Sequence, residues 1–368
     1  MLTYIFPGQG SQARGMGADL FDAYPDMTAK ADALLGYSIK ELCLTDPRNE
    51  LGKTQFTQPA LFVVNALSYR RRLEESGKRP DFVAGHSLGE FNALLAAGCF
   101  DFETGLQIVK KRGELMSQAD SGAMAAILNA SKDQVEAILK DAGLDQIDLA
   151  NYNSHSQVVI SGAVDEIEKA QHCFKGNMMF YPLNTSGAFH SRFMAHSQKE
   201  FTAFLAQFSL GAPQIPVIAN VTARPYEDGA VADTLARQIA GMVRWCESVE
   251  YLLQLDPAMT FEEVGHGEVL AKLVRSITQH VRKHAPAPVA AAPAAAAPIA
   301  PAAARPRVDA EQVVREWNSK YPVGSQVRST MQGYDALETR TEAMVLFGHR
   351  AAVYMKGYNG YFDLTELR

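Results

Sequence analysis

Between residues 285 and 306 the chain places 13 alanines and 6 prolines in 22 positions. Prolines at that density break helices, and alanine alone cannot build a core, so the tract favours extended polyproline conformations. At about 3.1 Å per residue it reaches roughly 70 Å when extended. It reads as an interdomain linker over 284–307. A main body (1–283) precedes it and a small module (308–368) follows.

Outside the tract the composition is that of an ordinary globular protein. The hydrophobic share is 47% and the charged share 21% of 368 residues, which excludes wholesale disorder. A net charge of -6 leaves no basic footprint for nucleic acid and no polybasic membrane patch. The run Arg70-Arg71-Arg72 reads as a solvated helix end. Cys43, Cys99, Cys173 and Cys246 show no metal-ligand spacing and no disulfide framework, which suits a reducing, cytoplasmic setting. The first seven residues do not read as a signal peptide, and no apolar run is long enough to cross a bilayer.

The body alternates strands and helices. Leu2 to Phe6 is a short apolar run closed by Pro7-Gly8 and predicts a buried strand. Helical patterning covers 17–45, and Pro59 is expected to open a further helix. Phe82-Val83-Ala84 predicts a second strand, followed by Gly85-His86-Ser87-Leu88-Gly89 and a helix from Leu88 to Ala97. Such alternation implies a mainly parallel sheet covered on both faces. From Gly122 the rhythm changes to β-α-β-β-α-β, the ferredoxin-like order, with Ser131 as a helix cap. The expected fold is α/β: a hydrolase-like parallel-sheet body (1–121 and 189–283), an inserted ferredoxin-like subdomain (122–188) and a β-rich C-terminal module.

Gly85-His86-Ser87-Leu88-Gly89 is a G-x-S-x-G between a strand and a helix. The glycines allow a sharp turn that presents the serine hydroxyl, and the next backbone N–H, that of Leu88, can face a developing oxyanion. A helix-capping serine is the plainer alternative. A nucleophilic serine needs a base. By spacing alone His190 is little better than His196 or His266 among the nine histidines, and a packed or surface histidine is the default for each. Gly8-Gln9-Gly10-Ser11-Gln12-Ala13 matches a dinucleotide fingerprint, but Pro7 enters the loop and no acid-ended second strand follows. A glycine-supported loop completing an oxyanion hole is the better use. Arg112 sits late in a helix beside Lys110 and Lys111, where a solvated charge is the default. It becomes functional only if it points inward, where its fork can hold a carboxylate. No residue set has metal-binding spacing.

Taken together, the pieces resemble the malonyl-CoA:acyl carrier protein transacylase family. They are Phe6 to Gln12, Thr57 to Leu61, Gly85 to Glu90, Arg112-Gly113, Gly122 to Ala125, Asn153 to Gly162, Gly187 to Ser191 and Asn220 to Ala223. They run in family order over residues 1 to about 280. The match resembles most the discrete acyltransferases that serve polyketide synthases in trans. The resemblance implies Ser87 as nucleophile and His190 as base, the histidine being oriented by a backbone carbonyl. It also implies an oxyanion hole from the N–H groups of Gln9 and Leu88, with Arg112 on the malonyl carboxylate and Gln58 lining the same pocket. Phe189, in an Ala-Phe-His run, implies malonyl over methylmalonyl. The implied partners are malonyl-CoA, an acyl carrier protein and polyketide synthase modules, with no nucleic acid, no membrane, no cofactor and no metal.

Two features depart from the family. Gly265-His266-Gly267 replaces the usual Gly-Pro-Gly, with an expected effect on how His190 is braced. The 308–368 module lies outside the family core, carries eight acids against seven bases, and suggests docking or assembly. The main rival is an acyl hydrolase of the same fold that strips carrier proteins; the presence of Arg112 favours transfer. A generic α/β-hydrolase would lack the inserted subdomain, and a non-catalytic scaffold leaves Ser87, His190 and Arg112 unexplained.

Overall fold

A computed structural model describes residues 1–119, 122–185, 187–284, 310–328, 337–346, 350–356, 361–364 and 367. The Ala/Pro tract lies outside the described residues. The chain forms two compact units, Met1–Ala287 and Pro288–Arg368.

The first unit opens with β1 (Leu2–Phe6), then α1 (Ala18–Ala23), α2 (Pro25–Leu35), α3 (Ile39–Leu44) and α4 (Thr54–Ser76). The 17–45 stretch is thus three short helices. Pro25 starts the second and Gly36, with φ 83°, ends it. Pro59 does not open α4; it lies inside it, five residues after the start. Thr57 Oγ1 donates to the carbonyls of Leu51 and Lys53 at 2.6 and 3.0 Å, which fixes a turn ahead of the proline. The earlier start places Gln58 within the helix and buries it.

Next come β2 (Phe82–Gly85), α5 (Gly89–Ala96) and α6 (Phe102–Ser117). A second layer follows: β3 (Ala123–Leu128), α7 (Lys132–Asp141), β4 (Asp148–Ser154), β5 (Gln157–Gly162), α8 (Val164–Ala170) and β6 (Met179–Pro182). The chain then returns through α9 (Ala195–Leu205), β7 (Val217–Ile218), α10 (Val231–Arg237), α11 (Trp245–Leu255), β8 (Thr260–Glu263) and α12 (Val269–His284).

The large sheet runs β7-β2-β1-β8, parallel throughout. Because side chains alternate along a strand, Tyr4 and Phe6 enter one core with α4 and α5 residues. Ile5 enters the other, with Trp245, Val249, Leu270 and Val274 of α11 and α12. Both faces are therefore covered, which is what a parallel sheet requires. The smaller sheet is antiparallel in the order β4-β5-β3-β6. Ala125, Ile127 and Ile160 face its own core with Val135 and Ile167 of α7 and α8. Met124, Ala126 and Val159 face the other way, into the body core. Ser131 caps α7 in a full capping box with Gln134.

The second unit starts with α13 (Ala310–Lys320), an 11-residue helix that the sequence reading did not anticipate. The strands β9 (Gln326–Val327) and β10 (Leu337–Glu338) pair antiparallel. So do β11 (Met344–Leu346), β12 (Arg350–Tyr354) and β13 (Tyr361–Asp363). Val327, Leu337, Val353, Met355 and Phe362 form its core, with Val313, Val314 and Trp317 of α13 packed against it.

Candidate active site

β1 and β2 end side by side, Phe6 opposite Gly85, and the site is built on those two ends. The turn from β2 into α5 is very tight. A side chain on Gly85 would put its Cβ 1.9 Å from the Gly89 carbonyl carbon, and one on Gly89 would put it 1.9 Å from the Phe6 oxygen. Only glycine fits either position, which is the physical content of the G-x-S-x-G spacing. Between them Ser87 takes a positive φ of 50°. A strained left-handed serine persists because its surroundings hold it. Asn220 supplies that hold: its Oδ1 accepts from the Ser87 N–H at 2.8 Å and its Nδ2 donates to Gly85 O at 2.7 Å.

His190 also has a positive φ, 56°. Its ring reaches Ser87, with Nε2 2.7 Å from Oγ. On the far side Nδ1 lies 2.9 Å from Gln238 O and 3.1 Å from Gly241 O. Carbonyl oxygens only accept, so Nδ1 carries the proton and Nε2 is left to accept from the serine hydroxyl. The brace is thus two carbonyls, and no acid takes part. The Gly265 loop does not brace His190. A Cβ on Gly265 would lie 2.2 Å from Asn65 Oδ1 and 2.8 Å from Pro7, so this loop backs the segment after β1 instead. Burial, the Arg112 charge and His86 together lower the His190 pKa from its ordinary 6.5 to about 3. The other histidines weighed from spacing stand elsewhere; His196 is exposed and pairs with Glu200.

Arg112 is 1% exposed. Its Nη1 donates to Gln58 Oε1 at 2.7 Å, and its Nη2 donates to Gln238 Oε1 at 2.8 Å and to Ser87 Oγ at 3.1 Å. The guanidinium lies over the Phe91 ring. Its Nε is buried without an acceptor among the described residues. Burial lowers its pKa to about 9, which leaves it charged at neutral pH. Glu90, fully buried, joins this network through Gln238. Its carboxylate accepts from Asn220 N (3.0 Å), Tyr226 Oη (2.6 Å) and Gln238 Nε2 (2.7 Å). Burial outweighs these donors and raises its pKa to about 7.

The Gly8-Gln9 segment lies against the same turn. A Cβ on Gly8 would be 2.2 Å from His86 O and 3.5 Å from Leu88 N. Ser11 Oγ donates to Gly8 O at 2.8 Å and holds the loop there. Among the described residues the N–H groups of Gln9 and Leu88 have no protein acceptor. Phe189, 5% exposed, belongs to the body core rather than to the polar network. A cleft of about 840 Å³ is lined by His190, Met242, Arg192, Lys132, Asp148 and Glu136.

The structure thus gathers Ser87, His190, Arg112 and Gln58 into one connected network and sets the Gln9 and Leu88 amides beside it. Sequence reasoning missed Gln238, which joins almost every part: its carbonyl meets His190, its Oε1 meets Arg112, and its Nε2 meets Glu90 and Ser87 O. Nothing in its local sequence marks it. Glu90 and Asn220 stood inside quoted motifs but carried no assigned role.

Comparison with known proteins identifies the family. Residues 3–318 match the acyl transferase domain family. The polyketide biosynthesis malonyl CoA-acyl carrier protein transacylase of Bacillus velezensis is 55% identical over 280 residues, 75% of this chain and 96% of its own length. The malonyl CoA-acyl carrier protein transacylase of Escherichia coli K12 is 37% identical over 285 residues, 75% of this chain and 92% of its own. Among solved structures, the malonyl CoA-acyl carrier protein transacylase of Burkholderia pseudomallei superposes with a TM-score of 0.75 at 59% identity, covering 78% of this chain and 99% of that one. A type II polyketide synthase acyl-carrier protein in complex with its malonyl-transacylase gives 0.71 at 35% identity, covering 76% and 93%. With a family match over most of its length and relatives covered almost end to end, the chain belongs to the malonyl-CoA:acyl carrier protein transacylase family.

Proposed function

We propose that this protein moves a malonyl group from malonyl-CoA to the phosphopantetheine thiol of an acyl carrier protein, acting in trans for a polyketide synthase. The observation that carries the chemistry is the meeting of two groups at one oxygen: His190 Nε2 at 2.7 Å and Arg112 Nη2 at 3.1 Å from Ser87 Oγ. The polyketide assignment draws on the Bacillus velezensis relative, whose name carries that pathway.

In this reading Ser87 attacks the thioester carbonyl while His190 Nε2 takes its proton. The N–H groups of Gln9 and Leu88, free of protein acceptors, receive the developing oxyanion. Coenzyme A leaves with a proton from His190, and a malonyl-serine ester remains. The carrier thiol then repeats the sequence in reverse. One thioester is exchanged for another of similar energy, so the chemistry calls for no cofactor. The malonyl carboxylate displaces Ser87 Oγ from Arg112 and is held by the guanidinium fork, with Gln58 and Gln238 keeping that fork in plane. It also cancels the charge that, after burial, most depresses His190. The base therefore gains basicity when a dicarboxylic acyl group is bound, which couples selectivity to rate.

The strand order β6-β3-β5-β4 supports reading 122–188 as a ferredoxin-like subdomain and the rest of 1–283 as a hydrolase-like body. We read 308–368 as a separate module for docking or assembly. The four cysteines, all free of disulfides, suit a cytoplasmic location, and no described helix is long and apolar enough to cross a membrane. The hydrolase alternative is not favoured, because a buried guanidinium at the nucleophile suits a carboxylate-bearing acyl group. The test is an acyl-CoA panel with a carrier protein, scored for transfer against free acid. Malonyl transfer and an adduct on intact protein that vanishes in Ser87→Ala are expected. Release of free malonate as the main product would refute transfer.

A further inference from the structure

A second cluster of reactive side chains lies outside the malonyl-binding network. His155 sits at the tip of the β4–β5 hairpin, and Cys246 and Glu250 stand four residues apart on one face of α11. One nitrogen of His155, the sulfur of Cys246 and a carboxylate oxygen of Glu250 all lie within 4.8 Å of one another. His155 Nδ1 is 3.6 Å from Cys246 Sγ, and Nε2 is 2.9 Å from Glu250 Oε1. On the outer side, His280 of α12 stacks on His155 with ring centroids 3.5 Å apart, and His284 stacks on His280 at 4.0 Å.

We propose that Cys246, His155 and Glu250 form a site for a borderline divalent cation such as Zn²⁺, with His280 placed to complete it. The donor set is one sulfur, one imidazole nitrogen and one carboxylate oxygen, the mixture such cations take. Bond lengths of about 2.3 Å to sulfur and about 2.0–2.2 Å to nitrogen and oxygen place tetrahedral donors roughly 3.3–3.6 Å apart. The observed sulfur–nitrogen separation already meets that spacing. Turning Glu250 from its hydrogen bond with His155 brings in the carboxylate, and both side chains are part-exposed, at 29% and 21%, so they have room to move. Rotating His280 off the stack supplies a fourth ligand from the solvent side.

Charge balance agrees. A thiolate and a carboxylate offer two negative charges to a dication. The neighbouring Arg244 is already paired with Glu247, so it does not compete for the cluster. Tyr152 also contacts the thiol, Lys132 lies over the Tyr152 ring, and Lys283 stands beside His280. Binding releases the Cys246 thiol proton to solvent as the S–metal bond forms.

The site would act as a clamp behind the nucleophile. Asn153, two residues before His155, bonds to His86 at 2.8 Å, and Trp245, next to Cys246, packs on the His86 ring. A cation joining hairpin to α11 therefore fixes the two segments that support the residue preceding Ser87. This inference is independent of the acyl substrate.

The test is titration of the metal-free full chain with Co²⁺. A near-ultraviolet thiolate-to-cobalt charge-transfer band with four-coordinate visible bands is expected, bleached by Zn²⁺. Cys246→Ser should remove the charge-transfer band. His155→Gln and Glu250→Gln should each weaken binding at least about 10-fold while keeping the metal-free circular dichroism melt. Absence of the band in the parent chain overturns the proposal. So does a band that persists in Cys246→Ser, or unchanged affinity in both of the other variants, which also decide the matter if Cys246→Ser fails to fold.

Discussion

The two units of this chain bury different things. The second unit's core is largely aliphatic and aromatic, built on Val327, Leu337, Val353, Met355 and Phe362. The first unit buries comparable apolar residues but also seals in Arg112, Glu90, Gln238, Asn220, Gln58 and His190. Burying polar groups is costly unless each is paired, and a charge more so. The difference shows which unit is built around chemistry. A unit that merely has to fold excludes such groups; the body keeps them, joined into one network ending at Ser87. The curated relatives align over about 280 residues, 75% of this chain.

The sharpest way to break the contrast is Arg112→Ala. It removes the guanidinium and strands Gln58 and Gln238 without their donor. Malonyl loading should fall by about 100-fold or more, while acetyl loading falls less than about tenfold. Stopped-flow acylation with the two CoA esters reads this, and equal losses would end the carboxylate-holding role.

Glu90→Gln is the next largest test. Every group facing the Glu90 carboxylate is a donor: Asn220 N, Tyr226 Oη and Gln238 Nε2. The ionised form therefore holds the Gln238 amide with its oxygen toward Arg112. Malonyl kcat/KM of the parent should fall as pH drops through about 7, where Glu90 takes a proton. In Glu90→Gln that acid limb should disappear and the plateau drop about tenfold. Stability should move the other way. The folded pKa of about 7 lies above the ordinary 4.5, so the folded chain binds the proton more tightly between those values. Relative to Glu90→Gln, the parent should lose stability as pH rises from 4.5 to 7 and stay level above. His190, depressed to about 3, gives the opposite slope up to its ordinary 6.5 in both proteins, so it cancels in the difference. Paired urea melts at several pH values check this.

The smallest effect belongs to the second unit. Removing 285–368 should leave self-malonylation within about twofold, since among the described residues every group hydrogen-bonded to Ser87 lies in the first unit. Preference among carrier proteins is where a change is expected, read by competition between two carriers. A truncated chain unable to load malonyl would show that the units are not separable.

Much of the body was legible because short stretches dictate their own geometry. β1 and β2 are apolar runs closed by turn residues, Ser131 predicts its cap, and the glycines around Ser87 leave one way to turn. Other expectations gave way to tertiary context. Pro59 reads as a helix opener, yet hydrogen bonds from Thr57 start α4 earlier. The Gly265 loop reads as a brace for His190, yet it packs on Asn65 and Pro7. Cysteine spacing hid the His155, Cys246 and Glu250 cluster, in which His155 and Cys246 lie 91 positions apart.

By itself, then, the sequence determined the serine elbow, the strand and helix alternation and the split at the Ala/Pro tract. These depend on steric rules that act over a few residues. The tertiary structure alone decided that Arg112 turns inward rather than into solvent, that Gln238 links base, guanidinium and Glu90, and that two backbone carbonyls orient His190. Those facts depend on which distant segments share a dry interior, and no local pattern records how far water has been excluded from a side chain.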